Sequence, residues 1–431
     1  MIPVPFQEVV DLDLGELGGV MPSDGTVRRI HDDSRISCPG DLFVAVNSGT
    51  RYVADAQRRG AATLVPRDQH AALARLAGLV RGRSEAQVVA VVGSTGKTTT
   101  KDALGALCAP VTPTVSAEAS RNNEIGLPLT VLRLEPKTRV LVTEMGMRGL
   151  GQIAELCRIA SPTMTVVTGI GPEHLELVGS IEDVARANAE AIVALPTGGV
   201  AVVPEEASEL EPWLDRDDIE LHRFEPRSVE RRGGAWRFPI EGEVVELELP
   251  FDQRHLAGDV LAALTAYHAL GLPLARVHEG ATAIALSPWR GDVIGLRGGG
   301  VVVNDAYNAN PVSMRAALLD LAERAGRRRK VAVLGEMAEL GAESDRYHAE
   351  IGELLAELGI DVVVAVGPGA QRYATEGSAE WHAAPDAAAA TAVLREVLRP
   401  GDAVLVKASR AIGLEGIPAH VENLCEAWSE S

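Results

Sequence analysis

Short runs of β-branched apolar residues recur along the chain: VVAVV at 88–92, RVLVTEM at 139–145, TMTVVTGI at 163–170, VVVNDA at 301–306, KVAVLGEM at 330–337 and DVVVAVG at 361–367. Between them lie Ala-, Leu- and Glu-rich stretches of helical period. Continuous apolar runs of this length suit strands covered by helices on both faces, so the pattern predicts an α/β protein built on parallel sheets. Each run ends in a turn or polar cluster, and open α/β sheets bind their ligands beyond the carboxyl ends of their strands. The pattern breaks near 80–86, where an Ala/Leu-rich helix gives way to RGRSEAQ, and near 290–298, at RGDVIGLRGGG. Three units follow, 1–84, 85–294 and 295–431. The stretch 200–250 alternates apolar and polar residues around Gly turns, which predicts a small antiparallel insertion in the middle unit.

At 431 residues the chain is long enough for two or three such units. Its formal charge of −19 repels a phosphodiester backbone and argues against bulk nucleic-acid binding. Cys38, Cys108, Cys157 and Cys425 are far apart with no C-x-x-C pair, so no disulfide framework or zinc site is suggested. No stretch approaches the ~18 uninterrupted apolar residues of a membrane span, and the N-terminus lacks a basic start followed by an apolar run. The expectation is a folded cytoplasmic protein.

The strand VVAVV runs straight into Gly93-Ser94-Thr95-Gly96-Lys97-Thr98-Thr99-Thr100 and then a helical stretch. A Gly-rich turn between a buried strand and a helix start is the context of a phosphate-binding loop. Gly93 and Gly96 let backbone N–H groups approach phosphate oxygens, Lys97 can neutralise the terminal phosphates, and the Thr98 hydroxyl can ligate Mg²⁺. The loop is shorter than G-x-x-x-x-G-K-[ST], because Val91 stands where its first Gly belongs. Elsewhere two readings stay open. Glu144 is either a strand-end surface carboxylate or a ligand; Asn122, Asn123 and Glu124 are turn formers, a helix cap or site residues.

GSTGKTTTKD resembles the ATP-binding loop of the Mur ligase family, which adds amino acids to the peptidoglycan precursor. Further motifs follow in that family's order: SRNNEIGLPLTV at 120–131, TEMGMRGLGQIAEL at 143–156, TGIGPEHLELVGSIEDVARANAEAI at 168–192, NDAYNANPVSMRAAL at 304–318, VAVLGEMAELGAES at 331–344 and VLVKASR at 404–410. With DDSRISCPGDLFVAV at 32–46, the resemblance spans nearly the whole chain. It implies a three-domain fold with a central P-loop ATPase-like parallel sheet and a C-terminal Rossmann-like domain. It also implies an ATP- and Mg²⁺-dependent ligase working through an acyl phosphate, joining D-alanyl-D-alanine to UDP-N-acetylmuramoyl tripeptide. Lys97, Glu144, His174 and Arg290 become the implied catalytic residues, with Thr98, Glu144 and His174 at the metals. Gly93 to Thr99, His255, Asp305, Asn308 and Asn310 become nucleotide contacts. Ser34, Arg35, Asn122, Asn123, Glu124, Lys407 and Arg410 become substrate contacts. Sequestering an acyl phosphate from water further implies closure of the third unit on the second.

The chain departs from the family in three places. Asn188 stands where a carbamylated lysine orients the second Mg²⁺, and no lysine occurs between Lys137 and Lys330. Glu173, Glu176, Asp183 and Glu190 crowd the region and offer replacement charge. The segment after NSGTR at 47–51 is trimmed, and Leu256 follows His255 where an Asn is expected. These departures keep two other functions in view: a ligase of a specialised natural-product pathway joining a different carboxylate and amine, and an ATP-binding subunit without catalysis.

Overall fold

The computed structural model describes residues 1–374 and 379–428, with side chains described to residue 425. These residues fall into two compact units, one of 1–169 with 185–250 and 258–285, the other of 170–184 with 251–257 and the chain from 286 on.

The first unit holds a six-stranded parallel sheet in the order Ile219–Phe224, Gly199–Pro204, Met164–Val167, Gln87–Val92, Val140–Glu144, Thr114–Ser116. Val88 to Val92 are entirely buried, as a central strand covered on both faces requires. From Gln87–Val92 the chain winds out to Thr114–Ser116, returns through Val140–Glu144, and then crosses to Met164–Val167 on the other side. The winding reverses at Gln87–Val92, so a crevice opens at its carboxyl end, where Gly93 stands. A four-stranded sheet in the order Gly15–Gly19, Ala62–Pro66, Asp41–Val44, Arg29–His31 belongs to the same unit.

The expected insertion at 200–250 is corrected in its first half. Gly199–Pro204 and Ile219–Phe224 extend the parallel sheet, because Ala201, Val202 and Val203 are wholly buried and register with Met164–Val167 and Ile219–Phe224. The antiparallel element is the smaller sheet of Glu230–Arg232, Ala235–Ile240 and Glu243–Leu247.

The second unit is built on a sheet in the order Asp292–Gly295, Val301–Asn304, Ala403–Lys407, Lys330–Gly335, Val362–Val366, Glu380–Ala384. It is parallel except at its first strand, which pairs antiparallel with Val301–Asn304. RGDVIGLRGGG is therefore an edge hairpin of this sheet. Ala403–Lys407 inserts between the two earlier strands, and their carboxyl ends bring Asp305 beside Lys407. The helix Pro311–Ala325 starts where the sequence pattern puts it. Pro311 occupies its first turn, and Asn310 and Ser313 form a reciprocal capping box.

Candidate active site

Gly93 follows the buried strand with φ +129°, and a Cβ there would strike Thr168 and Gly169. Gly96 caps the helix Lys97–Cys108 with φ +79°, and a Cβ there would run into the Asp259 carboxylate. Both positions need glycine for conformation and for space. The loop is fastened at its root: Gly93 N–H donates to Asn188 Oδ1 at 2.7 Å, and Ser94 N–H to Gly169 O at 2.8 Å. The Thr168 hydroxyl donates to Thr95 O, and the Lys97 ammonium to Gly93 O. Thr98 and Thr99 are buried on the first helical turn.

Glu144 ends the neighbouring strand in register with Val91 and is 1% exposed. Its Oε1 accepts from Asn122 Nδ2 at 2.8 Å, while its buried Oε2 has no partner among the described residues. An orphaned buried carboxylate oxygen is a costly feature unless something cationic meets it. Glu144 and Thr98 thus suit a Mg²⁺ that takes its other ligands from water and phosphate. Among the described residues no group of three or more His, Cys, Asp and Glu is arranged to hold a metal. Asn123 works as a cap, its Oδ1 accepting from Ile125 N at 3.2 Å and Gly126 N at 2.9 Å, and Glu124 is exposed.

The first unit also carries the N-terminal motif. Ser34 is buried and bonds to Asp55, whereas Arg35 is exposed and pairs with Asp33 at 2.8 Å. A cavity of about 920 Å³ is lined in part by Asp32, Asp33, Arg121, Arg133 and Lys137; Ser34 and Arg35 are outside that lining.

In the second unit His174 adopts a left-handed backbone, φ +52°, and lies between two carboxylates. Nδ1 meets Glu339 and Nε2 lies 3.4 Å from Glu173. Burial works to lower its pKa, but Glu173 and Glu339 together raise it above the ordinary histidine value. The two carboxylates thus favour the protonated form of His174. Lys407 is 2% exposed and spent internally, on Asp305 Oδ2 at 2.5 Å and Asn308 O at 2.9 Å. That ammonium fixes the 305–308 turn. Asn310 Oδ1 accepts from Ser313 N, and the Asn308 side chain is exposed.

Arg290 stacks 3.9 Å from the centre of the Tyr307 ring, and Arg410 stacks 4.4 Å from that of Trp289 while pairing with Glu415 at 3.1 Å. Arg290 Nε is buried without a hydrogen-bond partner among the described residues. His255 is half-buried with its pKa lowered by burial, against the opposing pull of Asp305 and Asp320. Leu256 is buried, and a Cβ at Gly291 would lie 3.5 Å from its Cδ1.

Asp259 and Glu339 are the site residues that sequence reasoning missed. Glu339 lies inside VAVLGEMAELGAES, but nothing there marks it as the partner of His174, and Asp259 meets Gly96 only through the fold. The replacement charges proposed around Asn188 are partly engaged elsewhere. Both Glu190 oxygens accept backbone N–H groups at the start of the helix Gln152–Ala160, from Gly151 at 2.5 Å and Ala154 at 2.9 Å. Asp183 accepts from Ser180 Oγ at 3.1 Å.

Comparison with known proteins adds the following. Residues 91–244 match the Mur ligase middle domain, and residues 289–410 match the Mur ligase, glutamate ligase domain. The chain is 32% identical to the UDP-N-acetylmuramoyl-tripeptide--D-alanyl-D-alanine ligase of Escherichia coli (strain K12), covering 97% of this chain and 98% of that protein. It is also 32% identical to the ligase of the same name from Mycobacterium tuberculosis H37Rv, with 97% of each covered. Among solved structures, MurF from Acinetobacter baumannii superposes with a TM-score of 0.84 at 27% identity, covering 98% of this chain and 99% of that one. MurF from Thermotoga maritima in complex with ADP gives 0.80 at 27% identity, covering 93% and 99%.

Proposed function

The chain belongs to the Mur ligase family, and from that premise we propose that it joins D-alanyl-D-alanine to UDP-N-acetylmuramoyl tripeptide, with ATP consumed to ADP and phosphate, in peptidoglycan precursor synthesis. The observation that carries this reading is similarity over nearly the full length to ligases of that name. A phosphate loop and an orphaned carboxylate at adjacent strand ends support the chemistry.

The working division is a UDP-binding unit at 1–84, an ATP-binding unit at 85–294 and a ligase unit at 295–431. The loop 93–99 cradles the ATP phosphates, and Lys97 swings from Gly93 O to neutralise them. Thr98 and Glu144 would hold Mg²⁺, which when bound would supply charge neutralisation to the phosphates. An oxygen of the tripeptide carboxylate attacks the γ-phosphorus and ADP leaves. The amine of the dipeptide then attacks the acyl carbon, and phosphate departs with that oxygen. Arg290, 3.9 Å from the centre of the Tyr307 ring, is assigned to the γ-phosphate on the family motif. We assign His174 a positioning role rather than direct metal ligation, since both ring nitrogens face carboxylates. Asp305, Asn308, Asn310 and His255 serve the nucleoside. Ser34, Arg35 and the loop 122–124 are assigned to the UDP-linked substrate on the family motifs alone; the cavity that Arg121, Arg133 and Lys137 line offers a neighbouring basic pocket in the same unit. Lys407 and Arg410 act by holding Asp305 and Trp289. A nucleotide-linked substrate and ATP place the reaction in the cytoplasm; no helix among the described residues is long and apolar enough to cross a membrane.

The test is amide formation by the purified chain with Mg·ATP, UDP-N-acetylmuramoyl tripeptide and D-alanyl-D-alanine, read by mass. Product that requires all three supports the reading. ATP binding without product would redirect it to another carboxylate and amine.

A further inference from the structure

Asn188 is 1% exposed on the helix Ile181–Val193, far in sequence from the phosphate loop, yet its Oδ1 accepts the first N–H of that loop at 2.7 Å. The residue it grips, Gly93, sits where only glycine fits. Its φ is +129°, and Thr168 and Gly169 fill the space where a Cβ would lie. The carbonyl of the same residue meets the Lys97 ammonium. One glycine thus carries two instructions, an N–H held by Asn188 and a C=O held by the lysine that serves phosphate. Rotation of the peptide ahead of Gly93 would break the first and disturb the second.

We infer that Asn188 is a positioning residue of the nucleotide site, which sets the phosphate loop by fastening the Gly93 amide and does not act through a metal. The inference rests on the nucleotide reading of residues 93–99. The residue type follows from the position. The buried N–H needs an acceptor, since an unmet one keeps its full desolvation penalty. A carboxylate would meet it too, but it would place a buried negative charge at the root of a loop that receives anions. A carboxamide accepts without charge.

The experiment is ADP and adenosine binding to the full chain, with Mg²⁺ and with EDTA, for the wild type, Asn188→Leu and Asn188→Asp. For Asn188→Leu the expected result is an ADP Kd raised about tenfold by the same factor in Mg²⁺ and in EDTA, with adenosine binding unchanged. Asn188→Asp is expected to weaken ADP in EDTA, with Mg²⁺ failing to restore wild-type affinity. A loss seen only with Mg²⁺, or tighter Mg·ADP binding by Asn188→Asp, would overturn the inference by making position 188 a metal position. Unchanged ADP affinity in Asn188→Leu would overturn it outright. Hydrogen exchange of the ligand-free wild type provides a readout that needs no variant: the Gly93 amide is expected to be protected, and exchange at the rate of an exposed loop amide would contradict the inference. A wild type that binds no ADP would instead overturn the nucleotide reading beneath it.

Discussion

Glu144 divides its two oxygens between structure and chemistry, one taken by Asn122 and the other buried without a partner. Glu144→Gln keeps an acceptor for Asn122 but removes the charge, so ligation should fall about 10²–10³-fold while thermal stability stays near wild type. Steady-state rates across a Mg²⁺ titration, alongside a melting curve, check this; unimpaired ligation would remove Glu144 from the chemistry. Gly96→Ala meets two obstacles, the Asp259 carboxylate and a left-handed backbone that costs roughly 1–2 kcal/mol for a residue with a Cβ. ADP binding should be lost, and adding Asp259→Ala should recover part of it, as read by titration. Lys97 and Thr98 were legible from the sequence because strand, turn and helix start are contiguous. Glu144 was not legible from its neighbours alone and needed the family motif. Glu339 sat inside the motif VAVLGEMAELGAES without being singled out, and Asp259 carried no signal, because the significance of each lies in what a distant segment brings to it.

The strands and helices were readable wherever one period dominated. All six apolar runs named from the pattern form strands. The failure at Gly199–Pro204 is instructive: VAVVPEE reads as an alternating strand, and only its burial against Met164–Val167 makes it part of the parallel sheet. Glu190 was legible as a charge but not as the cap of the helix Gln152–Ala160. Glu190→Ala leaves the Gly151 and Ala154 amides without their acceptor and should cost about 1 kcal/mol, lowering Tm by about 2 °C in a melting curve. In the N-terminal sheet, burial lowers the His31 pKa against the pull of Asp41, so the 3.3 Å contact joins a neutral imidazole to a carboxylate. Asp41 is itself lowered, because Arg29 and the Cys38 N–H outweigh the effect of burial. Both depressed values act in one direction. The His31 contribution is complete above its ordinary 6.5 and is lost as pH falls through its folded value. The Asp41 contribution is complete above its ordinary 3.8 and is lost below it. Acid unfolding should therefore have a limb beginning below pH 6.5 that His31→Gln flattens, measured by denaturant midpoints across pH.

For the whole molecule, the central claim is that the chain couples ATP to amide formation through an acyl phosphate. Family membership rests on similarity across almost all of the chain and on matching folds. The departure at Asn188 fits that scheme, since Asn188 Oδ1 accepts the first N–H of the phosphate loop. The most direct test labels both oxygens of the tripeptide's reacting carboxylate with ¹⁸O and follows them through one round of ligation. An acyl phosphate requires one labelled oxygen in each phosphate released, with ADP as the nucleotide product. Label in AMP, or unlabelled phosphate accompanying amide, would contradict the account.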